Sequence, residues 1–204
     1  GSGFLGKKVI NNISNKYQIL SVDKKKIKST KKVKTFKTTL KNFLKKKNLK
    51  NVSYIIHLAV SNPKASVYEK APNLLKKNID DLIFILEKIK KFNKKIFLIF
   101  ASSRDVEKNK FNRDLYSFSK EYCENLIKQY SINAKFNFCI LRIPDLFDYK
   151  INENPKYKAM YRITKNLEKS KKINIDNPDH TFEYISSDEI SKFISNILKK
   201  KENK

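Results

Sequence analysis

Apolar stretches of strand length alternate along this chain with longer segments of helical period, and that order constrains the fold more than any other feature. Such alternation marks βαβ units and a parallel sheet. A helix is predicted from Phe4 to about Ser14, then a strand from Tyr17 to Val22 that closes on Asp23. A Lys-rich, poorly patterned stretch from Lys24 to Lys37 leads to a short helix near Leu40 to Leu44 and a strong strand from Ser53 to Ala59. A long helix follows from Pro72 to about Lys91, with Leu74, Leu75, Ile79, Leu82, Ile83 and Leu86 as one apolar stripe. The strand Lys95 to Ala101, a helix from about Asp114 to Tyr130, and the strand Phe136 to Arg142 continue the pattern. Beyond Pro144 the sequence predicts a helix near Lys156 to Lys169, short extended pieces at Ile173 to Ile175 and Thr181 to Ile185, and a final helix opened by a capping box, Ser186-x-x-Glu189.

With 204 residues the chain has room for one α/β domain and at most a small appendage. Its apolar runs, such as Ile96 to Ala101, are far shorter than the roughly 20 residues a membrane-spanning helix needs. No membrane partner is expected. Cys123 and Cys139 are the two thiols, without metal-ligand spacing or a disulfide framework, so no metal is expected and a reducing cytoplasm fits. The formal charge of +26 raises a nucleic-acid reading, since clustered cations release counterions from a phosphate backbone. Only Arg104, Arg113, Arg142 and Arg162 carry guanidinium groups, however, and the Lys residues are spread along the chain with abundant Asn and Ile, as an AT-rich genome would produce. Nucleic acid is therefore not the expected partner. All three glycines lie within the first six residues, so later positive-φ turns are expected to use Asn, with Asn11-Asn12 and Asn51 as turn punctuation.

Gly1-Ser2-Gly3-Phe4-Leu5-Gly6 is a G-x-G-x-x-G opening a helix. Glycines there permit a tight turn and close backbone approach, while the helix N-terminus offers N–H groups and a positive dipole end to a pyrophosphate. A Gly-Ser-Gly terminus is also what a cloning scar leaves. Asp23 strengthens the functional reading: it closes the next strand, 17 residues after Gly6, where a carboxylate holds the adenosine ribose hydroxyls. An acid there favours NAD over NADP, although Lys24, Lys25 and Lys26 leave a 2′-phosphate open. The fingerprint normally follows a central strand, between the second and fourth in sheet order, and nothing precedes it here. The chain is therefore expected to lack about ten residues at its start, one strand and its turn.

Tyr116-Ser117-Phe118-Ser119-Lys120 is a Tyr-x-x-x-Lys, a spacing that stacks both side chains on one helix face. A phenol with a reference pKa of about 10 needs a neighbouring ammonium to exchange protons near neutrality, and a hydroxyl from a strand end, here Ser103, can hydrogen-bond the reacting oxygen. A second match, Tyr161 to Lys165, reads as an ordinary helical pair, because only Tyr116 follows an apolar strand ending in Ala101-Ser102-Ser103.

The run Phe97-Leu98-Ile99-Phe100-Ala101-Ser102-Ser103-x-x-Val106, then Tyr116 to Lys120 with Glu124, then Leu141-Arg142-Ile143-Pro144, resembles the extended short-chain dehydrogenase/reductase family of NAD-dependent sugar epimerases and dehydratases. His57-Leu58-Ala59 and Asn78 fit the same pattern, which covers residues 1 to about 150 and returns in Thr181 to Ile190. The resemblance implies a Rossmann-type doubly wound parallel sheet, its first strand absent from the chain, with a minimal C-terminal substrate lobe. The expected division is a dinucleotide-binding domain over residues 1–150 and a small substrate-binding lobe over 151–204. By this resemblance Ser103, Tyr116 and Lys120 are the catalytic residues. Gly1, Gly3, Phe4, Leu5, Gly6, Asp23, Leu58, Ala59 and Asn78 would hold NAD, with Tyr116 and Lys120 reaching the nicotinamide ribose. His57 is expected to sit at a strand end without titrating.

The sequence also departs from the family. No strand-three acid is visible in the Val33 to Leu40 region, His180 stands where Arg is usual, Glu107 follows Val106, and the Ser103 to Tyr116 segment is short. Arg104-Asp105 breaks the Asp-Glu pair of the dehydratases, so the expected activity is a cytoplasmic epimerase or keto-reductase on a nucleotide-linked sugar. A non-catalytic dinucleotide-binding module is the alternative, and a basic nucleic-acid-binding protein the third reading. The resemblance also allows a homodimer formed through the two long helices.

Overall fold

A computed structural model describes residues 1–25, 27–47, 49–59, 71–92, 95–107, 114–150, 159–169, 172–173, 181 and 183–202. In chain order the elements are α1 (Phe4–Ile13), β1 (Ile19–Asp23), β2 (Val33–Lys37), α2 (Leu40–Lys46), β3 (Tyr54–His57), α3 (Ala71–Phe92), β4 (Phe97–Ser103), α4 (Leu115–Ala134), β5 (Asn137–Ile143), β6 (Asp145–Phe147), α5 (Ala159–Glu168), β7 (Tyr184–Ser186) and α6 (Ser187–Glu202). They fall into two compact units, Gly1–Ser2 with Gln18–Ile143, and Gly3–Tyr17 with Pro144–Lys204. Among the described residues no helix is long and apolar enough to cross a membrane.

In the first unit every strand pairing is parallel, as the alternation of elements requires. β4 is the central strand of β3-β4-β5, in the register Ile56↔Ile99↔Cys139, and β1 pairs β2 with Val22 opposite Phe36. Among the described residues no ladder joins β1 to β3. β4 is nearly all apolar and buried along most of its length, as befits a strand flanked by two parallel neighbours. Leu82, Ile85, Leu86 and Ile89 from α3, Cys123 and Ile127 from α4, and Leu98 and Phe100 from β4 form one core, against which Val22 and Phe36 also pack.

The stripe on α3 is shifted from the sequence reading. Leu75, Leu82 and Leu86 are buried as expected, but Ile85 and Ile89 join them while Ile83 is only half-buried. Leu74 lies outside the described side chains. β2 is a second difference: the stretch read as unpatterned holds a strand whose alternation, Val33 in and Lys34 out, completes itself only on β1.

In the second unit α1 packs on α6, and Leu5, Val9 and Ile13 of α1 and Ile190, Ile194 and Leu198 of α6 are all buried. Asn11 and Asn12 lie in the last turn of α1 rather than in a turn, and Asn12 Nδ2 donates to Ser191 Oγ at 2.6 Å. β6 and β7 pair in parallel. The capping box closes as read: the Ser186 amide donates to Glu189 Oε2 and the Glu189 amide to Ser186 Oγ, both at 3.1 Å. The extended piece at Ile173 to Ile175 and the residue His180 lie largely or wholly outside the described residues.

The positive-φ position among the described non-glycine residues is Lys135, not an Asn, with φ 52° just past the end of α4. A left-handed conformation there costs an L-residue about 1 kcal/mol that glycine does not lose. Lys135→Gly is expected to stabilise the fold by about 0.5–1 kcal/mol, measured as a higher urea midpoint with unchanged slope; an unchanged or lower midpoint contradicts the strain.

Candidate active site

β3 stops at His57, β4 at Ser103 and β5 at Ile143, with Ser102 opposite Arg142 and Ser103 opposite Ile143. This C-terminal edge is where parallel sheets bind their ligands. Leu58, half-buried, and Ala59, exposed, extend β3 beyond its last pair. Ser103 is buried as the chain leaves β4 for a 3-10 turn over Arg104–Glu107. Its hydroxyl donates to Asp105 Oδ2 at 3.2 Å and accepts from the Asp105 amide at 3.2 Å.

α4 starts where a good N-cap allows it. Asp114 Oδ1 accepts from the Ser117 amide at 2.8 Å and from Ser117 Oγ at 2.6 Å. Tyr116 is thereby set in the first turn, half-buried, and Lys120 one turn later on the same face, 5 % exposed. Lys120 Nζ donates to the Ala101 carbonyl at 2.6 Å and lies 4.7 Å from the Phe100 ring centroid and 5.9 Å from that of Tyr116. Burial pushes this ammonium down to about 8, against the support of Cys123 and Glu124. A cation at the strand end, so close to losing its proton near neutrality, suits proton transfer.

His57 is buried and stacked on Phe100, ring centroids 5.8 Å apart. Burial first, then the positive charges of Lys120, Lys77 and the Gly1 ammonium, pushes its imidazole down to about 3. The ring is neutral at physiological pH and does not serve as an acid.

At the start of the chain Gly3 has φ −69° and ψ 171°, an ordinary extended backbone, so the turn does not need glycine's left-handed freedom. Nor does the surrounding protein require glycine, since a Cβ at Gly3 would meet nothing within 4 Å. α1 follows with no side-chain cap and no acid in its first turn. Its N–H groups and dipole suit a pyrophosphate. Leu5 and Gly6 are buried and Phe4 half-buried in the second unit. Asp23 Oδ2 accepts from the Gly1 ammonium and the Ser2 amide, both at 2.8 Å, and Oδ1 from the Lys25 amide at 3.1 Å. Burial opposes its ionisation, but these bonds hold the carboxyl well below the usual carboxylate range. Gly1, Asp23, Leu58, Ala59, Asn78, Ser103, Tyr116 and Lys120 thus belong to the first unit, with Asn78 half-buried on α3, and Gly3, Phe4, Leu5 and Gly6 to the second.

The family model described as the NAD dependent epimerase/dehydratase family matches residues 1–204. The chain belongs to that family. Comparison with curated protein sequences gives no match. Among solved structures, the chain is similar to a UDP-N-acetylglucosamine 4-epimerase from Methanobrevibacter ruminantium M1, at 19 % identity and TM-score 0.76, covering 93 % of this chain and 68 % of that one. It is similar to a UDP-glucose 4-epimerase from Thermotoga maritima, at 16 % identity and TM-score 0.75, covering 94 % and 69 %. A UDP-glucuronic acid 4-epimerase from Bacillus cereus, solved with UDP-glucuronic acid and NAD, gives 17 % identity and TM-score 0.78, covering 96 % and 70 %. At such identities the likeness establishes the Rossmann-type fold expected from the sequence.

Two networks in this epimerase/dehydratase-family chain escaped sequence reading. Glu124, buried on α4, accepts from Ser102 Oγ at 2.5 Å and from Arg142 Nη2 at 2.8 Å. In the second unit the buried Asp148 carboxylate accepts from Lys8 Nζ at 2.8 Å and Ser187 Oγ at 2.9 Å. Glu124 carried a signal, since it continues the Tyr116–Lys120 face by one more turn; Asp148 carried none. Tyr161 and Lys165, the second Tyr-x-x-x-Lys match, lie on α5, where Lys165 Nζ pairs with Glu168 Oε2 at 2.8 Å.

The lowered imidazole pKa has a stability consequence. Below 6.5 the unfolded chain takes up a proton that the folded chain refuses down to about 3, so the stability contributed by neutral His57 is present above that window and is lost as pH falls through it. His57→Gln is expected to flatten the acid limb of the stability profile across this range in urea titrations; an identical acid limb in both proteins contradicts the burial of a neutral ring.

Proposed function

We propose that this chain is an NAD-dependent enzyme that moves hydride between a carbon of a nucleotide-linked sugar and the nicotinamide ring, with Tyr116 carrying the hydroxyl proton. The observation that carries the reading is the buried Lys120 ammonium, fixed on the Ala101 carbonyl one turn from Tyr116 and beside the strand end that presents Ser103. The names of the similar structures, epimerases of UDP-sugars, support the substrate class.

Bound NAD supplies the hydride acceptor and returns the hydride. The chain's own residues do the rest. Tyr116 takes the proton from the sugar hydroxyl as the carbon is oxidised and returns it when the carbonyl is reduced. Lys120 stabilises the phenolate and reaches the nicotinamide ribose, and Ser103 donates to the reacting oxygen once its hydroxyl turns from Asp105. Gly1, Gly3, Phe4, Leu5 and Gly6 receive the pyrophosphate, while Leu58, Ala59 and Asn78 line the cofactor. Asp23, ionised at the end of β1, holds ribose hydroxyls and repels a 2′-phosphate, which favours NAD over NADP. Residues 1–150 would form the cofactor domain and 151–204 the sugar-binding lobe. Arg104-Asp105 after Ser103 favours an epimerase or a keto-sugar reductase over a dehydratase. The free thiols of Cys123 and Cys139 support a cytoplasmic setting.

One observation favours a binding-only module, the engagement of Ser103 by Asp105. Tyr116→Phe separates the two readings. It is expected to keep NAD affinity within about twofold by calorimetry while turnover of UDP-sugars falls by about 10²–10⁴. Turnover unchanged in the variant removes Tyr116 from the chemistry; NAD binding without turnover in the parent chain leaves the binding module; no NAD binding in the parent overturns both.

A further inference from the structure

Tyr116, Lys120 and Glu124 are spaced four residues apart and share one face of α4. Glu124 is the last of the three and the most buried, 2 % exposed. Its carboxylate does not merely sit in the core. Oε1 accepts from Ser102 Oγ at 2.5 Å and from Arg142 Nε at 3.1 Å, and Oε2 accepts from Arg142 Nε at 3.3 Å and Nη2 at 2.8 Å. Ser102 and Arg142 are themselves partners across the β4–β5 ladder. A single carboxylate therefore ties α4 to two adjacent strands at the level of the residue before Ser103. Arg142 Nη1 also reaches Glu107 Oε1 at 3.2 Å, which ties in the turn that follows Ser103.

Resting on the hydride-transfer reading, we propose that Glu124 is a positioning residue: clamped by Ser102 and Arg142, it fixes the register of α4 on the sheet so that Lys120 meets the Ala101 carbonyl and Tyr116 faces the end of β4. Neither Glu124 nor Arg142 touches the reacting atoms in this role. Two features make the clamp specific. A planar guanidinium met by both carboxylate oxygens fixes distance and orientation together, which a point charge would not. Its position one helical turn beyond Lys120 also makes it the nearest anchor to that residue on the C-terminal side, while the Asp114 cap anchors the other side.

The clamp carries a second consequence, because Glu124 also supplies negative charge to the Lys120 cation. The groups around Lys120 are Glu124 and Cys123 on its own helix, the Tyr116 and Phe100 rings, and His57 on β3, with Lys77 and the Gly1 ammonium beyond it. Burial holds the Cys123 thiol up at about 11 and the His57 imidazole down at about 3. Among the described residues, Glu124 is thus the negative group ionised beside Lys120 at neutral pH.

Glu124→Gln in the full chain tests this with two readouts. The first is kcat and KM on UDP-sugars with NAD. The second is the titration of the Lys120 side chain by NMR with carbon-13-labelled lysine, its signal identified by its loss in Lys120→Arg. The expected result is a kcat about tenfold lower or more, KM within about twofold, and a downward shift of the Lys120 titration. Should Glu124→Gln fail to fold, the double variant Glu124→Gln with Arg142→Gln removes both members of that ion pair, leaves no guanidinium without its carboxylate, and has the same expected readouts. A Lys120 titration that stays where it is, with or without a loss of thermal stability or of kcat, overturns the positioning role. If the parent chain turns over no UDP-sugar, the hydride-transfer reading fails, and the Lys120 titration still decides the clamp.

Discussion

A lysine ammonium buried at the end of a central parallel strand has few ways to be satisfied, and the surrounding structure supplies them. Lys120 donates to the carbonyl of Ala101, lies over the Phe100 ring, and draws support from Glu124 on its own helix. Each of those partners depends on a larger element. The Ala101 carbonyl is in place because β4 is buried between β3 and β5, and Glu124 because Ser102 and Arg142 grip it from two strands. Removing water from a charge is costly, so a fold that tolerates this one has to hold its partners rigidly. The same rigidity is what a proton-transfer site needs.

Much of the architecture was legible in the sequence because parallel sheets write themselves plainly. The continuous apolar run of β4 and the long stripe of α3 announced a strand buried on both faces and a helix over it. The Tyr116–Lys120 spacing and the Ser186–Glu189 box are local, so their geometry could be read directly from residue separation. β2 was not legible: Val33-Lys34-Thr35-Phe36-Lys37 has only two apolar residues, and what makes it a strand is the neighbouring β1. The three-residue strand β6 is too short to leave any periodicity, whereas β7 overlaps the extended piece read at Thr181 to Ile185. Ile85 and Ile89 were missed because an apolar helix admits two overlapping stripes, and only the contact with α4 selects between them.

The scarcity of glycine shaped the local errors. With none after Gly6, the chain uses Lys135 for its left-handed step after α4, where Asn was expected. At Gly3 neither the backbone φ nor the surrounding protein demands glycine. The networks of Glu124 and Asp148 join residues from distant parts of the sequence, and no spacing rule reveals such a meeting.

The central claim is that this chain exchanges hydride between a sugar carbon and NAD. The most direct measurement incubates the protein with NAD and UDP-sugars deuterated at the ring carbons bearing free hydroxyls, and follows the label by NMR. The account predicts that deuterium leaves the sugar for the nicotinamide ring, and either returns to the same carbon with inverted configuration or remains on the cofactor beside a keto-sugar. Label that never leaves any UDP-sugar, with NAD demonstrably bound, would contradict it.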